Sequence, residues 1–387
     1  MNINTITALV LITAITLFVY KNRKKVKIQK ILFPFLYIVM FKSNKGLNKM
    51  DKIARKWPQT TKFLGYTGII IGFIGMILIG AELILNTINL FLKPETTAGI
   101  QPVLPLEAKG VFFVPFIYWI ITIFIVALVH EFAHGIIART HKIPLKSTGI
   151  AFVCILIPIL PAAFVEPDEE TLRQRNKKEQ LSVLAAGSFS NIITAAITLI
   201  LIISTAPLLG AAFQEQGIKI TEITKDSPAS KAGIQQNENI MFLGNKRVNT
   251  TKEFMQKLTQ LKPGQEIKLK TEENAYKIKL GAHPKNKSKA YIGIKLEQQI
   301  KPKKEFVKKY GSLTPNIIKS SYSLISWIFL LNLGIGLFNL LPIIPLDGGR
   351  MLKTVLKDKK HGIKLFKYIS TLFLILIIIN LAAGFLK

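Results

Sequence analysis

The sequence predicts an α-helical polytopic membrane protein, with about six transmembrane helices plus re-entrant segments and one inserted small α+β domain. Three observations carry that prediction. Of 387 residues, 49% are hydrophobic although 52 are Lys or Arg, a pairing that soluble chains rarely show. The apolar residues gather into runs of about 20, the length that crosses a hydrocarbon core. One polar stretch, 213–300, interrupts them and alternates with the period of strands.

Six runs are candidate spans: 4–20, 64–92, 111–138, 181–209, 316–341 and 365–386. The first follows MNINT, which lacks a basic n-region, and no small-residue cleavage site follows it, so it reads as an uncleaved anchor. Two shorter stretches, ILFPFLYIVMF (31–41) and STGIAFVCILIPILPAAFV (147–165), contain prolines. They read as half-membrane or re-entrant segments whose unpaired backbone other parts of the protein cover.

Lys and Arg bias sets the orientation. Segments 21–30, 42–62 and 350–367 are dense in positive charge, whereas 93–110 holds only Lys93 and Lys109. One alternation fits: N-terminus outside, 21–62 inside, 93–110 outside, 139–180 inside, 210–315 outside and 342–364 inside. The net charge of +30 falls mostly between apolar runs, with no groove-reading or stacking motif beside it. It reads as charge facing an anionic bilayer surface, and nucleic acid is not an expected partner. The single Cys154 excludes an intrachain disulfide and reads as a small buried hydrophobe.

The expected organisation is 1–110, N-terminal helices and a basic cytoplasmic loop; 111–210, the first part of a membrane core; 211–300, the inserted domain; and 301–387, the second part of the core. In the insert, GIKITEIT alternates like a strand, and Ser227 before Pro228 marks a helix start. Residues 250–261 have amphipathic helical spacing, and 266–280 read as a hairpin. The segment SPASKAGI with its neighbouring strands resembles a PDZ domain. That resemblance implies a bound peptide or cleaved substrate end, added to a sheet edge; the plainer alternative is an insert without a ligand.

VALVHEFAHG (126–135) puts His130, Glu131 and His134 inside an apolar run, where each ionisable group needs a reason. Residues four apart share a helix face, so the two histidines can hold one metal ion with the glutamate beside them. Two imidazoles and a third ligand suit Zn2+ and leave a position for water, whose proton a carboxylate can take. A solvated helix face is not available as an explanation within a span; a structural polar cluster between helices is. The third ligand is sought in NLLPIIPLDGGR (339–350), at the same end of the membrane. There Asp347 is the only acidic residue between Glu305 and Asp358. An aspartate that merely caps the next helix is the alternative.

HEFAH in one span, AGSFSN (186–191) in a second, a PDZ-like insert and NLLPIIPLDGG in a third together resemble the site-2 protease family of intramembrane zinc metalloproteases, over roughly 111–350 and in the right order. AFVEPDEE (163–170) and the six spans look most like its archaeal members. The resemblance implies zinc ligands at His130, His134 and Asp347, a general base at Glu131, and a membrane-embedded strand edge that pairs with an unwound substrate. Ser188 departs from the proline common at that place, while Ala186, Gly187 and Asn191 keep the rest of the motif. Asn339 and Asn191 are expected to bind the extended substrate or the developing oxyanion, with an interhelical clasp as the alternative for Asn191.

The implied partners are single-span membrane protein substrates within a lipid bilayer, and the implied place is the cell membrane, with the active site near the cytoplasmic side. Two other classes stay open: a catalytically silent PDZ-bearing scaffold, which needs neither Glu131 nor Asp347, and a metal transporter, which needs ligands at several depths. His141, in RTHKIP, reads as a loop residue at the membrane surface.

Overall fold

An apolar run becomes a helix where it is long enough to satisfy its backbone without water. The computed structural model describes residues 3–23, 26–32, 35–43, 45–93, 96–155, 157–284 and 286–386. The chain divides into two units, Met1–Ile202 with Ser323–Lys387, and Ile203–Tyr322.

The first unit opens with α1 (Ile3–Lys21), strands β1 (Val26–Leu32) and β2 (Leu36–Lys42), α2 (Lys45–Lys56) and α3 (Pro58–Leu92). Two short strands, β3 (Val103–Leu104) and β4 (Phe112–Phe113), precede α4 (Phe116–Thr140), β5 (Leu145–Ile155), β6 (Ile157–Pro167), α5 (Glu169–Gln174) and α6 (Lys177–Ala212). The inserted unit holds β7 (Phe213–Ile223), α7 (Pro228–Lys231), β8 (Asn239–Leu243), β9 (Lys246–Arg247) and α8 (Thr251–Thr259). It continues through β10 (Glu266–Thr271), β11 (Ala275–Lys279), β12 (Gly281–His283), β13 (Asn286–Tyr291), β14 (Ile294–Pro302) and α9 (Lys304–Tyr310). The chain then returns to the first unit along α10 (Thr314–Phe338), followed by α11 (Asp347–Leu356) and α12 (Gly362–Leu386).

Among the described residues, five helices are long and apolar enough to cross a membrane: α3, α4, α6, α10 and α12. The apolar part of α1, Leu9–Lys21, is shorter. Hydrocarbon gives helices no hydrophobic reason to associate, so close packing of small residues takes over. In α3 the buried Gly65, Gly68, Gly72 and Gly75 form that stripe; a methyl on Gly65 would touch Ile137 and Ser182, and one on Gly68 would touch Phe189. The stripe seats α3 directly on the two helices that carry the HEFAH and AGSFSN motifs.

The proline-broken stretches 31–41 and 147–165 are paired strands over their described residues, not bare backbone. Phe33, Pro34 and Leu156 lie outside the described residues; Phe35 sits in a turn, and the rest of these stretches forms strands in a four-stranded antiparallel sheet, ordered β1-β2-β5-β6. Their β-branched and aromatic content favours a pleated surface, and a sheet pairs the backbone that a half-membrane coil would leave bare. Pro161 lies on β6, the edge strand, where a missing N–H leaves no gap in the ladder. Cys154 is buried in this sheet beside Val39 and Phe152, as a small hydrophobe.

The inserted unit follows its sequence closely. Its main sheet runs β11-β10-β8-β7-β14, with β9 against β8. Ser227 caps α7 by accepting from Ser230 N–H, with Pro228 in the first turn, and β10 pairs β11 as a hairpin. Inward residues Ile218, Ile220, Ile240, Leu243, Leu269 and Ile278 close over Phe254 of α8; each such side chain contributes about 1.5–3 kcal/mol on burial.

Candidate metal centre

One helical turn separates His130 from His134 on α4, and their Nε2 atoms lie 3.1 Å apart. Asp347 Oδ2 sits 3.2 Å from His130 Nε2 and 3.3 Å from His134 Nε2. This is a group of three whose ligand atoms could hold a metal ion. With bonds of 2.0–2.1 Å, a tetrahedral zinc spaces its ligand atoms about 3.3 Å apart. The triangle therefore fits three corners of such a site, and the same three residues line a cavity.

The surrounding groups settle which atoms face the centre. His134 Nδ1–H donates to the carbonyl of Val183 at 2.7 Å, which leaves the lone pair on Nε2. His130 Nδ1 lies 3.2 Å from the side-chain amide of Asn191. A ligating His130 must donate from Nδ1, so the amide end it meets must be the oxygen. Asn191 Oδ1 is a buried acceptor with no partner as placed, and exchanging the two ends of the amide gives that donor its acceptor. Ser188 Oγ donates to Asp347 Oδ2 at 3.4 Å, which steadies the carboxylate.

Close approach explains the glycines. A Cβ on Gly187, on α6, would run into both Nε2 atoms. After α10 the chain turns back, and Gly348 N–H donates to Asn339 O at 2.9 Å, which brings Asp347 to the histidines as the first residue of α11. A side chain on Gly348 would collide with the carbonyls of Leu340 and Leu341. Only glycine permits that approach.

Glu131 points to the sheet beside the metal ligands. Its Oε2 accepts a hydrogen bond from the backbone N–H of Val165 on β6, at 3.0 Å. A cavity of about 270 Å³ contains His130, Glu131, His134, Asn339 and Asp347. A second, of about 330 Å³, shares Glu131 and Val165 and runs along β6 past Ala163. Glu131 is thus common to the metal cavity and the strand edge.

The structure brings His130, Glu131, His134, Asp347 and Asn339 together around one cavity. It does not place Asn191 there. Asn191 is fully buried, with its side-chain amide on His130 Nδ1, the contact of the interhelical-clasp alternative. His141 is likewise not a solvated loop residue: it is 4% exposed, with Nε2 2.8 Å from Ser182 Oγ and Nδ1 3.7 Å from Glu179. Sequence reasoning missed Val183, Val165 and the pair Arg350–Glu169, in which Arg350 Nη2 donates to Glu169 Oε1 at 2.6 Å at the rim of the metal cavity. Backbone partners leave no trace in residue type, but Arg350 lies one helical turn from Asp347 and was findable by that spacing. Glu169 follows Asp168, the cap of α5, whose carboxyl is held below the usual carboxylate range by Thr171 N–H and by the Lys146 ammonium.

Comparison with known proteins agrees with this chemistry. An uncharacterized protein of Methanocaldococcus jannaschii is 28% identical over 295 residues, covering 74% of this chain and 71% of that one. A protein of Clostridium perfringens with a provisional zinc-metalloprotease name is 24% identical over 282 residues, covering 58% of this chain and 82% of that one. Among solved structures, PDZ domains of SdrC-like proteins from Listeria monocytogenes and Listeria innocua align at 20% and 22% identity; they cover 21% and 22% of this chain and 90% and 97% of theirs, each with a TM-score of 0.20. The model of peptidase family M50 matches residues 118–381, which include both histidines, Glu131 and Asp347. The chain belongs to peptidase family M50, the site-2 protease family, and is a membrane zinc metalloprotease.

Proposed function

We propose that this metalloprotease is an intramembrane endopeptidase, hydrolysing peptide bonds within or near the transmembrane segments of single-span membrane proteins in regulated intramembrane proteolysis. The observation that carries the reading is Glu131, which borders both the metal cavity and an open strand edge. Zinc, when bound by His130, His134 and Asp347, supplies an acidified water and polarises the scissile carbonyl. Glu131 then has one task, to take the proton of the attacking water on a carboxylate oxygen and return it to the leaving amine. Asn339, lining the same cavity, is placed to donate its amide to the substrate carbonyl as charge develops there.

A peptide bond within a helix is shielded by its own hydrogen bonds, so substrate must unwind and find backbone partners elsewhere. The edge of β6 supplies them. Along its register Pro161, Ala163 and Val165 face away from β5; Pro161 has no N–H and that of Val165 is taken by Glu131. The N–H of Ala163 and the outward carbonyls remain for an added strand.

The Lys and Arg bias supports a cytoplasmic location for the metal centre and an outside location for 210–315. There the inserted unit would take a peptide or a cleaved substrate end. The span count supports six crossings if α1 is the sixth. The scaffold reading leaves the Asp347–His130–His134 triangle without a purpose. A transporter needs several ligand sets along a path, whereas the three-residue group at His130, His134 and Asp347 stands alone among the described residues.

The reading is tested with purified zinc-loaded protein in nanodiscs and a set of synthetic transmembrane peptides containing helix-breaking residues, with products read by mass spectrometry. Cleavage inside the apolar segment, abolished by chelation and by Asp347→Ala, is the expected result. Protein that holds one zinc per chain and leaves every peptide of the set intact would sink the proposal.

A further inference from the structure

Beside the metal cavity lies a larger one, of about 610 Å³, that shares five of its lining residues, Arg350 and Glu169 among them. Its charged wall is one-sided. Arg173, Arg350, Lys353 and Lys357 face a single carboxylate, that of Glu169. Two of these cations are committed, Arg350 to Glu169 at 2.6 Å and Lys357 to Gln180 Oε1 at 3.3 Å. The side chains of Arg173 and Lys353 have no hydrogen-bond or ion-pair partner among the described residues. Four cations around one pocket repel one another, and an anion entering it relieves that repulsion.

We infer that this basic vestibule is a binding site for acidic side chains on the substrate, in the flank that leaves the metal cavity on the side of α5 and α11. The inference rests on the intramembrane-protease reading above. A peptide chain running through the metal cavity must pass the Arg350–Glu169 pair to leave on this side, because both residues line both cavities. An Asp or Glu in that flank can take the place of Glu169 on the Arg350 guanidinium, with the planar fork that suits a carboxylate. Arg173 and Lys353 then receive the next acidic groups. A flank of Lys and Arg meets four like charges instead.

That asymmetry selects. Membrane spans generally carry their excess of Lys and Arg on the cytoplasmic side, the side to which the metal centre is assigned. The vestibule would therefore turn away the majority of single spans and admit the minority whose inner flank is acidic. Discrimination by repulsion of the wrong partner, alongside attraction of the right one, is a common route to specificity.

The test uses full-length Glu131→Gln protein, loaded with zinc in nanodiscs, and three fluorescent transmembrane peptides that share one apolar segment. Their inner flanks are Asp-Glu-Asp-Glu, Asn-Gln-Asn-Gln or Lys-Lys-Lys-Lys, each amidated at the C-terminus so that only side chains supply charge. The acidic flank is expected to bind about tenfold more tightly than the neutral one, as two or three partly exposed ion pairs would give, and the gap is expected to shrink with salt. In Arg173→Gln/Lys353→Gln the gap closes while zinc content and neutral-flank affinity hold. In Glu169→Gln, which frees Arg350, it widens.

Equal binding of the acidic and neutral flanks, or a preference that survives the double substitution, overturns the vestibule and leaves the protease reading intact. A preference absent from the amidated set and seen only when the same peptides are made with a free C-terminal carboxylate also overturns it, since the ligand is then the product terminus. If none of the three peptides binds and the wild type cleaves none, the underlying reading fails and takes the vestibule with it.

Discussion

Glu131 Oε2 and the backbone N–H of Val165 lie 3.0 Å apart and join the proposed base on α4 to the edge strand β6. The carboxylate proposed to move a proton is therefore held by the same strand edge that substrate is proposed to pair with. Glu131→Gln keeps the volume and an oxygen able to accept from Val165, but has no basic site. Zinc content should stay at the wild-type level while hydrolysis of a transmembrane peptide falls by about 10²- to 10⁴-fold, the usual contribution of a general base. Parallel metal analysis and single-turnover cleavage check it; full activity in this variant would remove Glu131 from the chemistry.

Behind the ligands, Asn191 is expected to act through His130. Asn191→Leu removes the acceptor for His130 Nδ1–H and should weaken zinc by about 10- to 100-fold, as loss of an outer partner does. Asn191→Asp keeps an acceptor and should hold zinc at least as tightly as wild type. Competition against a chelator of known affinity gives both values. Equal losses in the two variants would mean that the site responds to packing and not to the hydrogen bond.

Gly187 gives a steric prediction. A methyl there would occupy space used by both Nε2 atoms, and α6 cannot shift easily because Ser190 Oγ also donates to the Val129 carbonyl of α4, at 3.2 Å. Gly187→Ala should lose zinc while keeping its helix content by circular dichroism, whereas Gly210→Ala, at a position with nothing within 4 Å, should change neither. Zinc retained by Gly187→Ala would show that the histidine rings have room to retreat.

The sequence made the helices legible because length and hydropathy alone decide them in a bilayer; α4 and α12 lie close to their expected spans. The metal triad was legible for a different reason. Ionisable residues are so costly in an apolar run that His130, Glu131 and His134 announce themselves, and Asp347 is the one acid in its neighbourhood. The sheet was not legible. Prolines 158 and 161 argue against a strand when its neighbours are unknown, and only the pairing of β6 as an edge removes the objection. Asn191 could be found but not assigned, since an amide in a span looks the same whether it faces substrate or the back of an imidazole.

His141 carries a prediction about acidity. It lies just beyond α4, and burial pushes its imidazole below the ordinary value; Glu179 opposes that shift, while Lys62 and Arg175 add to it. The folded chain therefore holds His141 neutral, against Ser182 Oγ at 2.8 Å. Above the unfolded value of about 6.5 both states are neutral and the full stability is present. As pH falls below it, the unfolded chain takes up a proton that the folded chain refuses, and stability is lost. Metal release at low pH would mimic this, so the comparison is made with chelator present throughout. The thermal midpoint of the wild type in detergent should drop between pH 7.5 and 5.5 by several degrees more than that of His141→Asn, which has no such group to titrate. Identical pH dependence in the two proteins would mean that His141 binds its proton equally well folded and unfolded; a smaller drop in the wild type would mean that Glu179 holds it protonated in the fold.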